Sequence, residues 1–467
     1  MRLGDWLAAE GGLSFWMKVT FVHPSIGRRS GEDYMRTWQM ESLPVAALAA
    51  LTPRDIEIAF FDDRMEAINF DEPTDLVAIP VETYTAKRAY QIASTYRRRG
   101  VPIVMGGFHA TLLPGEVSRY AEATVIGEAE GVWIEVLDDA RHKTLKRIYR
   151  SQDRLTLAGA RFDRSVFRGK RYLPMGLIET GRGCSFPCEF CAIQTFFGQT
   201  HRRRPVDDVV AELRTIQHDR KLFFFVDDNF AGNISAAKEL AKAIAPLNIR
   251  WVTQMSIDAA HDEDAVAMFA RSGCRGVLIG FESLDKMTLR AMGKKFNTMG
   301  GGYGKALDNL RRHGVRVYGT FLFGYGSETP ETFDRVVEFA QDHKFFLAAF
   351  NHLTPFPGTP LYKRLQDEGR LKFDAWWLDD TYAYNTLPFE TGGLPGEEIT
   401  RLCVEARKRF YTLPSMLRRG FNRANRGDFT MTRAFFIINL LHRAEVNKRH
   451  LLPFGDPNWT GELLEAV

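Results

Sequence analysis

Gly181-Arg182-Gly183-Cys184-Ser185-Phe186-Pro187-Cys188-Glu189-Phe190-Cys191-Ala192 places three cysteines in one short run, spaced C-x3-C-x2-C. A cubic iron–sulfur cluster has four iron corners, and a closed structural site supplies a cysteine to each. Three thiolates leave one iron open for a small molecule. A loop crowded with Gly, Arg, Pro and Glu is a poor place for three inert core thiols. Zinc is the stronger competitor, because C-x2-C is a common half-site. No second pair completes it, although a histidine could: Cys274 and Cys403, the other two of the chain's five cysteines, are isolated. Five cysteines in 467 residues do not make a disulfide scaffold, and no signal peptide is read at the start.

Composition bounds the rest. A chain of 467 residues predicts two or three domains. With 45% hydrophobic and 26% charged residues it is expected to fold around a real core. A net charge of +4 is too small at this length to argue for a nucleic-acid or strongly acidic partner. No apolar run reaches membrane-spanning length, so no transmembrane segment is expected. Reduced, metal-binding cysteines predict a cytoplasmic protein.

Working outward, short apolar runs alternate with helical patterns on both sides of the cysteines. Upstream, strands are expected at 19–23, 56–60, 76–81, 101–105 and 123–126, with a helix over 85–100. Apolar, β-branched runs between helices predict an α/β, doubly wound parallel sheet, whose ligands bind beyond the carboxyl ends of the strands. Those ends read Glu82-Thr83-Tyr84-Thr85, Gly106-Gly107-Phe108-His109 and Gly127-Glu128. Glycine there permits close backbone approach to a ligand, but a tight turn needs it as well. Residues 1–140 form this first domain, and 141–175, basic and aromatic, are read as a linker.

Residues 176–360 repeat the strand–helix alternation six times, too few for a full eight-unit barrel. Their strand ends carry Asp227-Asp228-Asn229, Gln254, Ser256, Glu282-Ser283, Gly324, Glu328 and His352. Helix capping accounts for any one of these; gathered at one rim, some face a ligand. Residues 361–467 read as a mostly helical domain. Trp376, Trp377, Tyr382 and Tyr384 line a pocket or pack the domain, packing being the commoner role. The basic stretch 407–450, with the apolar run 434–441, reads first as a packing helix and second as a membrane-surface helix.

The cysteine motif, with Phe190 in its aromatic place, resembles the signature of the radical S-adenosylmethionine (SAM) enzymes. The resemblance implies that Cys184, Cys188 and Cys191 hold a 4Fe–4S cluster whose open iron binds SAM. An electron from a donor such as flavodoxin or ferredoxin then cleaves SAM. It also implies a partial (β/α)6 barrel and SAM contacts at Phe190, Asp228, Gln254, Ser256, Glu282 and Gly324. Asp228 stands where the family has Gly-Gly-Glu; Glu282 is expected near the ribose and Gly324 along the adenine. The first domain, with Gly106-Gly-x-His109-x-Thr111-x-x-Pro114 and then Gly127-Glu-x-Glu130, resembles the cobalamin-binding domain of B12-dependent members. Thr83, Tyr84, Thr85, Gly106, Gly107, His109, Gly127 and Glu128 are its implied contacts. The cobalt-ligating histidine of many such domains is missing: the segment reads Phe61-Asp62-Asp63-Arg64-Met65. The expected activity is methylation of an unactivated position in a small molecule, such as a lipid or natural product, without an assigned acid–base residue and with peripheral membrane contact as a secondary expectation. Radical cyclisation or rearrangement, aminocarboxypropyl transfer, and a non-catalytic sensor are the alternatives.

Overall fold

The computed structural model describes residues 17–466 except 33, 152–154, 299 and 428. Residues 1–16 of the expected first domain lie outside it. The first sheet contains β1 (Met17–His23), β2 (Ile56–Asp62), β3 (Leu76–Pro80), β4 (Ile103–Gly106), β5 (Ala123–Ile126) and β6 (Ile148–Arg150), all parallel, in the order β2-β1-β3-β4-β5-β6. The stretch expected as a linker therefore supplies the edge strand β6. Its three residues, Ile-Tyr-Arg, expose two side chains and bury Tyr149 alone, too short a pattern to be read as a strand. The buried residues divide into one cluster on each face, which is why the strands read as apolar runs rather than alternations. Strand order reverses between β1 and β3, so the ligand crevice of this sheet opens beyond His23 and Pro80.

The second sheet contains β7 (Gly176–Ile178), β10 (Leu222–Phe225), β11 (Arg250–Gln254), β12 (Cys274–Glu282), β13 (Arg316–Phe323) and β14 (Leu347–His352). Each pairs in parallel with its successor, with β7 and β14 at the edges. This is the order of a six-stranded, unclosed barrel. Phe281, Phe321 and Phe350 stack across β12, β13 and β14 at 5.6 and 5.8 Å and hold the register under the helix Pro330–Asp342. Between β7 and β10, a two-residue antiparallel pair, β8 (Gly181–Arg182) with β9 (Arg202–Arg203), closes the cysteine loop into a lobe.

The last hundred residues form helices Gly396–Phe410, Leu413–Gly420 and Phe429–Arg449 and a small β15–β16 pair (Ala383–Tyr384 with Leu452–Pro453). Trp376 and Trp377 are buried and belong to the core of the first domain, together with Tyr382 and Phe454. The C-terminal segment thus packs across both α/β units.

Candidate active site

The cysteine loop is fastened to the barrel on both flanks. At its start, Asp227 Oδ1 accepts from the backbone N–H groups of Thr180 (2.7 Å) and Gly181 (3.1 Å), and Asp228 Oδ2 from that of Gly183 (2.7 Å). Gly183 has φ +86°, and a Cβ there would lie 2.2 Å from Thr200 O, so the entry turn requires glycine. Burial raises both aspartates to about 6. Within the loop, Glu189 accepts from Arg364 (2.7 Å) and Tyr325, and Leu361 N–H donates to Glu189 O. Cys191 begins the helix Ala192–Phe197, which Gly198 ends in the left-handed region.

Cys188 is buried, Cys184 and Cys191 partly so. Burial raises all three thiols, Cys188 to about 12, and metal coordination is what would strip their protons at neutral pH. Among the described residues no three His, Cys, Asp or Glu side chains are grouped to hold a single metal ion. A zinc site needs its thiolates about 2.3 Å from one shared centre, whereas a cubane takes each cysteine at a separate corner. Asn229 Nδ2 reaches Cys184 Sγ (3.8 Å) and Ser256 Oγ (3.2 Å), while Asn229 Oδ1 accepts from Ser256 N–H (3.2 Å). Beside the loop, Lys294 Nζ donates to Glu282 Oε1 (2.8 Å) and Gly280 O (3.0 Å). Burial opposes the Lys294 charge, but Glu282 and the thiols of Cys188 and Cys191 outweigh it, and its pKa is raised. Glu282 has φ +61° at a register shift in β12, a strained position held for its side chain.

The expected SAM residues are used unequally. Ser256 and Asn229 stand against Cys184, Phe190 lines a cavity beside Cys191, and Gln254 ends β11, where its carbonyl accepts from Phe230 N–H. Asp228 anchors Gly183 and also faces a cavity between the two α/β units. Gly324 N–H is taken by Glu328, which also binds the N–H groups of Tyr325 and Gly326.

Three cavities meet at this rim. The first runs along the ends of β3, β4 and β5, past Gly106, Gly107, Gly127 and Glu128, to Phe196, Phe197 and Asp228. The second fills the β1/β3 crevice beside His23, Thr83, Tyr84 and Thr85. The third, about 530 Å³, opens at the barrel mouth between Phe190, Cys191, Asn351, His352, Thr354, Tyr382 and Tyr384. Thr83 and Tyr84 line the second and third together, and Tyr84 Oη is 2.7 Å from Thr354 Oγ1. Gly107 has φ +99°, and a Cβ there would press on Val81 O at 3.0 Å. Glu128 lies at a cavity wall, yet accepts from Arg182 (2.6 Å) and Arg202 (2.9 Å) of the cysteine lobe, and these arginines outweigh burial to lower its pKa.

His109 is not brought to a cavity. It is fully buried, with Nδ1 at 3.2 Å from Thr83 Oγ1 and Nε2 at 3.0 Å from Glu116, which also accepts from Tyr90 and Trp377. Both nitrogens are engaged by Thr83 and Glu116 of the same domain. The Thr85 hydroxyl likewise bonds Glu82 backbone groups. Asp62 and Asp63 are held by Arg64, Tyr172, Arg88 and Ser25.

Glu82 opens the strand-end run read from the sequence but was not among the expected contacts. It directly follows β3 and its neighbour Val81, and it lines all three cavities. Its surface is accessible, but into these cavities, and burial raises its carboxyl to about 7. The strand-end rule could have found it, since it stands at the switch point. Lys294 lies on no strand end and left no sequence signal.

Residues 178–340 match the model of the radical SAM superfamily. The chain is 30% identical over 390 residues to bacteriochlorophyllide d C-12(1)-methyltransferase of Chlorobaculum tepidum, covering 81% of this chain and 84% of that protein. The chain belongs to the radical SAM superfamily. As a radical SAM enzyme it uses a 4Fe–4S cluster and SAM. Two solved structures share its fold. One is the cobalamin-dependent SAM radical enzyme OxsB with aqua-cobalamin and SAM bound (TM-score 0.62, 13% identity, 92% of this chain and 72% of that one). The other is the radical SAM methyltransferase TsrM of Kitasatospora setae with cobalamin and an iron–sulfur cluster bound (TM-score 0.57, 19% identity, 75% of each).

Proposed function

We propose that this radical SAM enzyme binds cobalamin in the cavity between its two α/β units and methylates a carbon of a bulky small molecule seated at the barrel mouth. The observation that carries the reading is a shared wall. Glu82, Phe108 and Ile193 line both the cavity along the first sheet and the cavity beside Cys191. A group bound along Gly106, Gly107 and Gly127 is therefore next to whatever lies beside the cysteine loop. The similarity to a bacteriochlorophyllide d C-12(1)-methyltransferase supports the same reaction class. The barrel-mouth cavity of about 530 Å³ has room for a bulky substrate.

When bound, the cluster with SAM supplies a radical that removes a hydrogen atom, and cobalamin supplies the methyl group. The protein's part is holding and positioning. Cys184, Cys188 and Cys191 would hold the cluster. Asn229 and Ser256 fix the polar edge at Cys184, and Lys294 places a cation beside the thiolates. Phe108 stacks on Phe196 at 4.4 Å, an apolar contact between the first domain and the cysteine lobe. His352, whose ring nitrogens have no hydrogen-bond partner among the described residues and whose pKa is well lowered by burial, offers a neutral imidazole at the substrate end.

Cobalamin uptake tests the reading. Anaerobically reconstituted protein, mixed with hydroxocobalamin and desalted, is expected to retain it stoichiometrically by its visible spectrum. Complete loss on desalting would contradict cobalamin use.

A further inference from the structure

Exposed large apolar side chains are unevenly placed on this molecule. Of the eleven found among the described residues, six fall between Leu413 and Leu440: Leu413, Leu417, Phe421, Phe429, Ile437 and Leu440, each 47–83% exposed. Leu413 and Leu417 lie one turn apart on the helix Leu413–Gly420, and Phe421, at its C-cap, continues that stripe. Phe429, Ile437 and Leu440 lie along the helix Phe429–Arg449. That helix already has a core face, because Phe435, Asn439 and Val446 are buried on its other side. The outer stripe is therefore surplus to packing. Phe421 meets Phe436 at 5.4 Å, and Gly420 packs under Phe435 and Phe436, so the two helices present one continuous patch. No described helix is long and apolar enough to cross a membrane.

Among the described residues, the exposed charges around the patch are mostly basic. Arg423, Arg426 and Arg433 are exposed, and none is paired with a carboxylate among the described residues; Arg418 is paired with Asp342. Symmetric contact with a second copy would set these arginines against their own kind. An apolar face rimmed by free arginines is the pattern that lies in a lipid interface, with the guanidinium groups reaching anionic headgroups. We infer that the face formed by Leu413–Gly420 and Phe429–Arg449 docks on the surface of an anionic bilayer.

Vesicle co-sedimentation of the full-length, cluster-loaded protein tests this. The probes are vesicles of phosphatidylcholine with phosphatidylglycerol and vesicles of phosphatidylcholine alone. Wild type is expected to bind the anionic vesicles about tenfold or more tightly than the neutral ones, each arginine contributing roughly fivefold. The triple variant Leu417→Ser, Phe421→Ser, Ile437→Ser should lose at least about tenfold in binding, and Arg423→Glu with Arg433→Glu should lose the preference for anionic lipid. Because these positions are largely exposed, cluster absorbance should stay unchanged and serve as the folding control, the Phe421–Phe436 contact being the one packing interaction lost. Equal binding to both vesicles, no binding to either, or a wild-type dimer that the triple variant dissociates would overturn the proposal, the last by assigning the face to a second copy.

Discussion

At the scale of single residues, the site depends on groups that burial would otherwise silence. Cys188 is buried and its thiol is pushed up to about 12, so its thiolate exists only through coordination. Cys188→Ala is expected to lose the brown iron–sulfur absorbance and all SAM cleavage; retention of either would refute its role as a ligand. Glu82 makes a separate, pH-dependent prediction. Its carboxyl is raised from 4.5 to about 7, so the folded state favours the protonated form. The stability this contributes is fully present below about pH 4.5 and is lost as pH rises through about 7. Glu82→Gln removes that loss, so its melting temperature relative to wild type should rise between these values and level off above them. A pH-independent difference would place Glu82 in contact with bulk water. Glu82 was overlooked because a lone carboxylate after a strand is usually a cap; only the folded chain shows it facing three cavities.

At the scale of elements, the cysteine lobe is held by backbone contacts that tolerate no added atom. Gly183→Ala forces a Cβ against Thr200 O at a positive φ, a conformation that costs about 1–2 kcal/mol before the clash. The variant is expected to fold but to load iron poorly, measured as iron and sulfide per chain; full loading would show that the lobe adjusts. The first sheet was legible because strands buried on two faces give apolar runs, the barrel strands alternate buried and partly exposed residues, and the alternation with helices fixed the parallel sense of both. β6 was not legible, because a three-residue edge strand that buries only Tyr149 carries no periodic signal. The strand-end residues were found as a set, but their partners were not. Asp228 turned out to hold Gly183, and His109 to hold Thr83 and Glu116, since a motif shows which residue types occur but not which hydrogen bonds they make.

At the scale of the whole molecule, the C-terminal segment fixes the first domain against the barrel. Trp377 is 2% exposed, packs on His109 at 5.4 Å and donates to Glu116 at 3.0 Å. Trp377→Ala should cost about 3–5 kcal/mol, read as a lowered urea midpoint, and should loosen cobalamin before it affects iron content. An unchanged midpoint would mean that the segment does not brace the domain. The same arrangement sets the Glu82–Phe108–Ile193 wall between the two cavities, on which the methyl-transfer reading rests. Anaerobic incubation with SAM, hydroxocobalamin and titanium(III) citrate, followed by mass spectrometry of the SAM-derived products, tests that reading most directly. Both 5′-deoxyadenosine and S-adenosylhomocysteine are expected to form; 5′-deoxyadenosine without S-adenosylhomocysteine, from protein that has kept its iron and its cobalamin, would contradict methyl transfer through cobalamin.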